Sequence, residues 1–237
     1  MARMLRRLLS SGALLAALLS GGGVLLAAVG VWLGLWTFRT GFTVLRYGAW
    51  VGVAAVALSA LSLLVGPRRV QALIALLIAA VAVGLPWSWQ EQARSVPPIH
   101  DITTDLDDPP AFVAIVPLRA DAPNPVAYPG GDTAALQRQA YPDIQTRRLD
   151  VPAAEAFAAA ERAARDLGWT IVATVPADGR LEASDTTFWF RFTDDIVVRI
   201  RPEGSGSLVD VRSKSRVGRS DVGTNAARIR RFLARLP

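Results

Sequence analysis

Leu8–Phe38 reads LLSSGALLAALLSGGGVLLAAVGVWLGLWTF, and this apolar run decides what the rest of the chain can be. A signal-peptide core needs only about 7–15 apolar residues, so a run this long predicts an uncleaved anchor. About 20 residues cross the hydrocarbon core, which places the first span at about 14–36. Arg3, Arg6 and Arg7 stand before it. Two further runs predict spans at about 44–65 and 70–89. Gly66-Pro67-Arg68-Arg69 forms a tight basic turn between them. Residues 1–90 are therefore read as a membrane anchor with three transmembrane helices. Ser20-Gly21-Gly22-Gly23, with Gly30 and Gly34, offers small residues for close helix packing. No Asp, Glu, Lys or His falls inside a span. Transporters and channels usually need such groups, so the spans read as anchor and packing surface.

The charge follows the same division. The chain carries a net +6, which at first suggests nucleic acid. Residues 1–95 hold eight Arg and one acid, Glu91, whereas residues 96–237 hold 18 basic and 19 acidic residues. The excess thus belongs to the membrane flanks, and no nucleic-acid partner is expected. Arg3, Arg6, Arg7, Arg68 and Arg69 outweigh Arg39, Arg46 and Arg94. By the positive-inside rule this expects a cytoplasmic N-terminus and a C-terminal domain outside the cytoplasm. Lys214 is the sole Lys, and the Arg and Ala richness points to a bacterial genome. The expected location is therefore a multi-pass protein of the inner membrane with a periplasmic domain. Cysteine is absent, which excludes disulfides, thiolate zinc sites, a cysteine nucleophile and a lipoprotein anchor.

Residues 91–143 are punctuated by Pro and Asp and have little periodicity, so they read as a linker or a wrap. Ile102, Leu106, Phe112 and Ile115 favour a partly docked wrap. A soluble α+β domain is expected over 144–237, two-layered, with two helices on one face of a curved antiparallel sheet. Strands are predicted at 146–150, 169–175, from Arg180, at 195–201 and at 208–215, with a hairpin loop at Glu203–Gly206. Phe188, Phe190 and Phe192 alternate as one more inward set of opposite parity, which predicts a bulge or break near 184–187. Helices are predicted over 152–167 and from a Ser220 cap to Leu236, the latter with a stripe of Val222, Ala226, Ile229, Leu233 and Leu236.

Polar residues crowd at the junction of the last strand and last helix. The candidate ligand-binding set is Asp194, Arg199, Arg212, Ser213, Ser215, Arg216, Arg219, Asp221 and Asn225. Arg beside backbone N–H groups at a helix start suits a phosphate or carboxylate. The plainer reading is a structural network in which Asp221, Asp194 and Asp195 neutralise these cations. Arg199, Arg201, Asp210, Arg212 and Lys214 share one side of the sheet by parity, which reads as cross-strand pairing or as a basic strip. Asp194-Asp195 is too close in sequence to flank one bond from a strand, since the two side chains point to opposite faces. His100 with Asp101, Asp105, Asp107 and Asp108 reads as an acidic loop, and no metal site is expected.

The chain resembles the bacterial and plastid family known as domain of unknown function 1499. The likeness covers about Pro97–Leu236. It rests on Ile102-Thr103-Thr104-Asp105, Pro109-Pro110, Tyr141-Pro142-Asp143 and Leu167-Gly168-Trp169. The longest runs that carry it are Phe192–Ile200 and Arg212–Arg228. Members with N-terminal spans look like this layout. The resemblance supplies no catalytic residue to carry over, and no cofactor is expected. The leading expectation is a non-catalytic domain that binds an envelope protein or an anionic small ligand, tethered to the lipid bilayer. An envelope hydrolase using His100 or Asp195, and an assembly factor acting through its spans, are the alternatives.

Overall fold

The computed structural model describes the backbone of Met1–Pro237 and every side chain except that of Ala2. Its contacts separate into two compact units, Met1–Gln92 with Trp189–Arg191, and Ala93–Phe188 with Phe192–Pro237.

The first unit holds α1 (Ala2–Trp32), α2 (Phe38–Val65) and all but the last three residues of α3 (Arg69–Ser95), each helix long and apolar enough to cross a membrane. Helix α1 starts before the expected span and stops short of residue 36. Gly34 adopts φ 68° and opens a turn. Trp36 then folds its ring back over Gly30, in space that any Cβ would fill. Lipid is as apolar as leucine, so helices associate through close approach and polar contacts. Ser20 Oγ donates to Gly48 O at 2.7 Å, and Ser10 and Ser62 share a hydroxyl bond of 2.7 Å. Ala13, Ala17, Ala55, Ala75 and Ala79 are fully buried between the helices, whereas Leu15, Leu18, Leu19 and Leu25 face outward.

The second unit is α+β. Its strands are β1 (Asp101–Thr103), β2 (Arg147–Leu149), β3 (Thr170–Val175), β4 (Arg180–Thr186), β5 (Thr193–Glu203) and β6 (Gly206–Ser215). They form one antiparallel sheet in the order β1-β6-β5-β4-β3, and β2 shares the outer edge of β6 with β1. The helices are α4 (Gly131–Ala140), α5 (Ala153–Asp166) and α6 (Thr224–Leu233). Ile196, Val198 and Ile200 of β5 and Val209 and Val211 of β6 point to one face. There they meet Ala156, Phe157, Ala160 and Ala164 of α5 and Ala226, Ile229 and Phe232 of α6. The Trp169 ring stacks on Phe232 at 5.2 Å.

Residues 104–130 cover the opposite face. Phe112 and Ile115 pack on Val197. The N–H groups of Val113, Ala114 and Ile115 converge on the buried carboxylate of Glu182 at 2.9–3.1 Å. This segment is thus a strap over the sheet. Helix α4 lies within the stretch whose sequence shows little periodicity. Its Gln137 side chain accepts from Thr103 N (3.1 Å) and donates to Thr103 O (2.6 Å), which satisfies the edge of β1 in place of a further strand.

Two expectations need correction. Phe188–Phe192 is no inward strand. Phe188 is exposed, and the segment is a loop closed by Thr187 N to Phe192 O (2.8 Å), with Arg191 at φ 55°. The strand breaks where the parity switch places it, β4 ending at Thr186, whereas the register irregularity lies in β3, between Ile171 and Ala173. Ser220 does not cap α6. The helix starts at Thr224 after Gly223, so Val222 lies outside it, and Asp221 satisfies its first amides.

Candidate functional site

The pairing of β5 with β6 sets Asp194 opposite Ser215 and Ile196 opposite Ser213. Parity therefore turns Asp194, Ser213 and Ser215 toward α6. Asn225 and Arg228, three apart on that helix, meet them. The Arg228 guanidinium is only 1% exposed. It donates to Asp194 Oδ2 at 2.7 Å, Asp185 Oδ2 at 2.9 Å and Ser213 Oγ at 3.1 Å, and also to Asn225 Oδ1. Asn225 Oδ1 accepts a further bond from Ser213 Oγ (2.7 Å), and its Nδ2 donates to His100 O and Ser215 Oγ, each at 3.0 Å. Asp221 accepts from Gly223 N (2.8 Å) and Asn225 N (2.9 Å). The helix-start amides expected to face a ligand are thus occupied by the chain's own carboxylate. Burial raises the Asp194 carboxyl above its usual range, against the pull of Arg228. Burial likewise pushes Asp221 up to about 6, against its two backbone bonds.

Asp210, Arg212 and Lys214 take the other parity and lie under the strap. Arg212 forks onto Asp101 through two bonds of 2.9 Å, and Lys214 Nζ reaches the same carboxylate at 2.6 Å. Strap carbonyls complete them: Pro110 and Val126 accept from Arg212, and Ala127 from Lys214. The Phe112 and Tyr128 rings lie against the Arg212 guanidinium at 5.0 and 5.4 Å. Desolvation lowers the Lys214 ammonium despite Asp101. Arg199 binds Asp105, Asp108 and Asp210 at 2.8–3.0 Å, and Arg201 binds Asp210 at 2.8 Å. The same-side cations of the sheet are therefore paired with carboxylates. Asp195, adjacent to Asp194 but on this face, is fully buried between Arg119 (3.2 Å) and Arg216 (2.8 Å).

The segment 216–223 links the two faces and carries the rest of the set. Three of its residues have positive φ: Gly218 (99°), Val222 (57°) and Gly223 (81°). A β-branched residue there is an outlier. Anchors hold this backbone from several sides. Asn124 Nδ2 donates to Ser215 O (3.0 Å) and Gly218 O (2.9 Å), and Asn124 N to Arg216 O (3.1 Å). Asp221 N donates to Ile99 O at 3.1 Å, and His100 Nδ1 lies 3.3 Å from Arg219 O. Burial lowers the His100 imidazole. Arg216 is engaged by Asp195 and Leu118 O. Arg219 is exposed, and among the described residues its guanidinium makes no hydrogen bond or ion pair.

The structure thus separates the predicted residues into three groups. Asp194, Ser213, Ser215 and Asn225 join one buried network, Arg199 and Arg212 lie on the strap face, and Arg216, Arg219 and Asp221 lie in the loop. Arg228, the centre of the first group, and Asp101, the centre of the second, stand outside the candidate set, the one at the end of the basic run and the other in the acidic loop. Arg228 had a signal, since it follows Asn225 by three and precedes Phe232 by four on one helix face. Asp101 had none, because its partners lie more than a hundred residues away.

A family model described as a protein of unknown function, DUF1499, matches residues 101–236. No curated protein matches the chain.

Proposed function

The chain belongs to the DUF1499 family, a membership that brings no activity with it, and we propose that it is a membrane-anchored binding protein. Its soluble domain holds an anionic group, of an envelope protein or a small ligand, at the loop 216–223. The observation that carries this reading is the loop itself. Its backbone is fixed by Asn124, His100, Asp221 and Ile99 and strained at Val222, yet the cation at its tip, Arg219, is left exposed. Backbone strain persists where surroundings over-determine it, and such places cluster at binding sites. A guanidinium on a preorganised loop loses little entropy on meeting a carboxylate or phosphate.

The Arg distribution supports an inner-membrane placement with the N-terminus in the cytoplasm and the domain in the periplasm. The chain has no cysteine, so Asp132→Cys, at an exposed position, gives a unique thiol. Labelling by an impermeant maleimide in intact spheroplasts is expected. Labelling only after lysis would reverse the orientation.

The binding reading is tested on the full chain, gently extracted from its host membrane, by native mass spectrometry. A bound species should be lost in Arg219→Gln and kept in Arg231→Gln, which removes an equal exposed charge from α6. Retention of the same species by Arg219→Gln sinks the assignment.

A further inference from the structure

Helices α1 and α3 begin, and α2 ends, around a cleft of about 510 Å³ lined by Arg3, Arg6, Arg7 and Arg69 and by the turn 64–67. Residues 1–90 contain no Asp or Glu. Among the described residues these four guanidinium groups make no hydrogen bond or ion pair. Two helix N-termini add partial positive charge at the same end, against the single C-terminus of α2. The floor of the cleft is held in place. A Cβ on Gly66 would press on Ser62 Oγ and Ser10 Oγ at 2.7 and 2.8 Å, and those hydroxyls bond each other. Its lip is apolar, with Leu64 78% exposed.

The depth of this cleft argues for its occupant. Helix α2 has 28 residues, a rise of about 42 Å. A bilayer with its headgroups is about 40–45 Å thick, so a helix spanning it ends among the headgroups. A ring of unpaired Arg above an exposed Leu matches a molecule with a phosphate at one end and acyl chains at the other. Arg forks take phosphate oxygens in pairs, and basic pockets between spanning helices suit anionic headgroups. We propose that this cleft binds the phosphate headgroup of an anionic membrane phospholipid.

The test is native mass spectrometry of the full chain released from nanodiscs of equal phosphatidylglycerol and phosphatidylcholine. The wild type should retain phosphatidylglycerol with a preference of at least about fivefold, as a site built on several paired charges implies. Arg3→Gln/Arg6→Gln/Arg7→Gln/Arg69→Gln should fall to parity. Arg39→Gln/Arg46→Gln, which removes charge beside α2's other end, should keep the preference. Should the fourfold variant fail to insert, Arg69→Gln alone decides, with an expected loss of at least about twofold. Parity in the wild type overturns the proposal, as does an equal loss in the Arg39/Arg46 variant. So does full displacement of the lipid by inorganic phosphate, which would mark a free-phosphate site.

Discussion

Replacing Arg228 by Met keeps most of the side-chain bulk and removes the charge that holds Asp194. Asp194 is 2% exposed and Arg228 1%. Breaking one side of a buried pair typically costs about 3–5 kcal/mol, because the remaining charge stays desolvated. Ser213 and Asn225 each lose a donor as well, at about 1 kcal/mol apiece. The variant has an escape, which is to protonate Asp194. The carboxyl is already raised by burial, and losing Arg228 raises it further. A carboxyl raised in the folded state is stabilising below its unfolded pKa, and that stability is lost as pH rises through the folded value. The deficit of Arg228→Met should therefore be largest at neutral pH and shrink on acidification. Hydrogen exchange of the β5 and β6 amides in the full chain reads it directly. A loss of about 4 kcal/mol is roughly a thousandfold in protection. Asp194→Asn/Arg228→Met should recover at least about 1 kcal/mol, since the fully buried charge is then gone and Asp185, whose side chain is 31% exposed, can turn to water. A variant within about 0.5 kcal/mol of wild type, or a double variant equal to the sum of its singles, refutes the network as the organiser of this junction.

Three further outcomes follow from the same geometry. Asp221, pushed up to about 6 by burial, should contribute stability that grows as pH falls from about 6 toward 3.9, worth at most about 3 kcal/mol. His100, lowered by burial, works against it on acidification, so the observable is the difference between wild type and Asp221→Asn across pH 4–7 in urea unfolding. A pH-independent difference contradicts the burial argument. Glu182→Gln offers one acceptor and one NH₂ group to three converging N–H donors, so strap docking should weaken by about 2–4 kcal/mol. Faster exchange at Val113–Ile115, with β5 unchanged, is the expected pattern, and uniform loss of protection would mean the strap is no separate layer. Val222→Gly should relieve strain and raise stability by about 1 kcal/mol, seen as a higher Tm, whereas a lower Tm would show that the side chain contributes more than its backbone costs.

The three long apolar helices were legible because runs of about 20 apolar residues have few other uses. Strands β5 and β6 were legible through strict alternation. The miss at Phe188–Phe192 has the same origin. Alternating aromatics imitate a strand, but Arg191 at φ 55° turns the chain there. Helix α4, GDTAALQRQA, carries no apolar stripe, since it presents Gln137 rather than a hydrophobic side chain to the sheet edge. The expected stripe of the last helix runs through Leu233, whereas its neighbour Phe232 is the fully buried residue.

The site was only partly legible for an electrostatic reason. Residues 96–186 carry 14 acids against seven Arg, and residues 187–237 carry 11 basic residues against five acids. The fold brings these opposite excesses together: Asp101 with Arg212 and Lys214, Asp105 and Asp108 with Arg199, Asp185 with Arg228, Asp143 with Arg230. A dense basic run therefore looks the same in sequence whether it is spent on distant acids inside the domain or kept for a partner. Pairing and burial separate the two cases. Applied to the run from Arg212 to Arg228, they remove Arg212, Lys214, Arg216 and Arg228 from the accessible charge and leave Arg219. A binding assay on this domain should therefore begin with Arg219. A variant of a paired cation would confound loss of a ligand with loss of the fold.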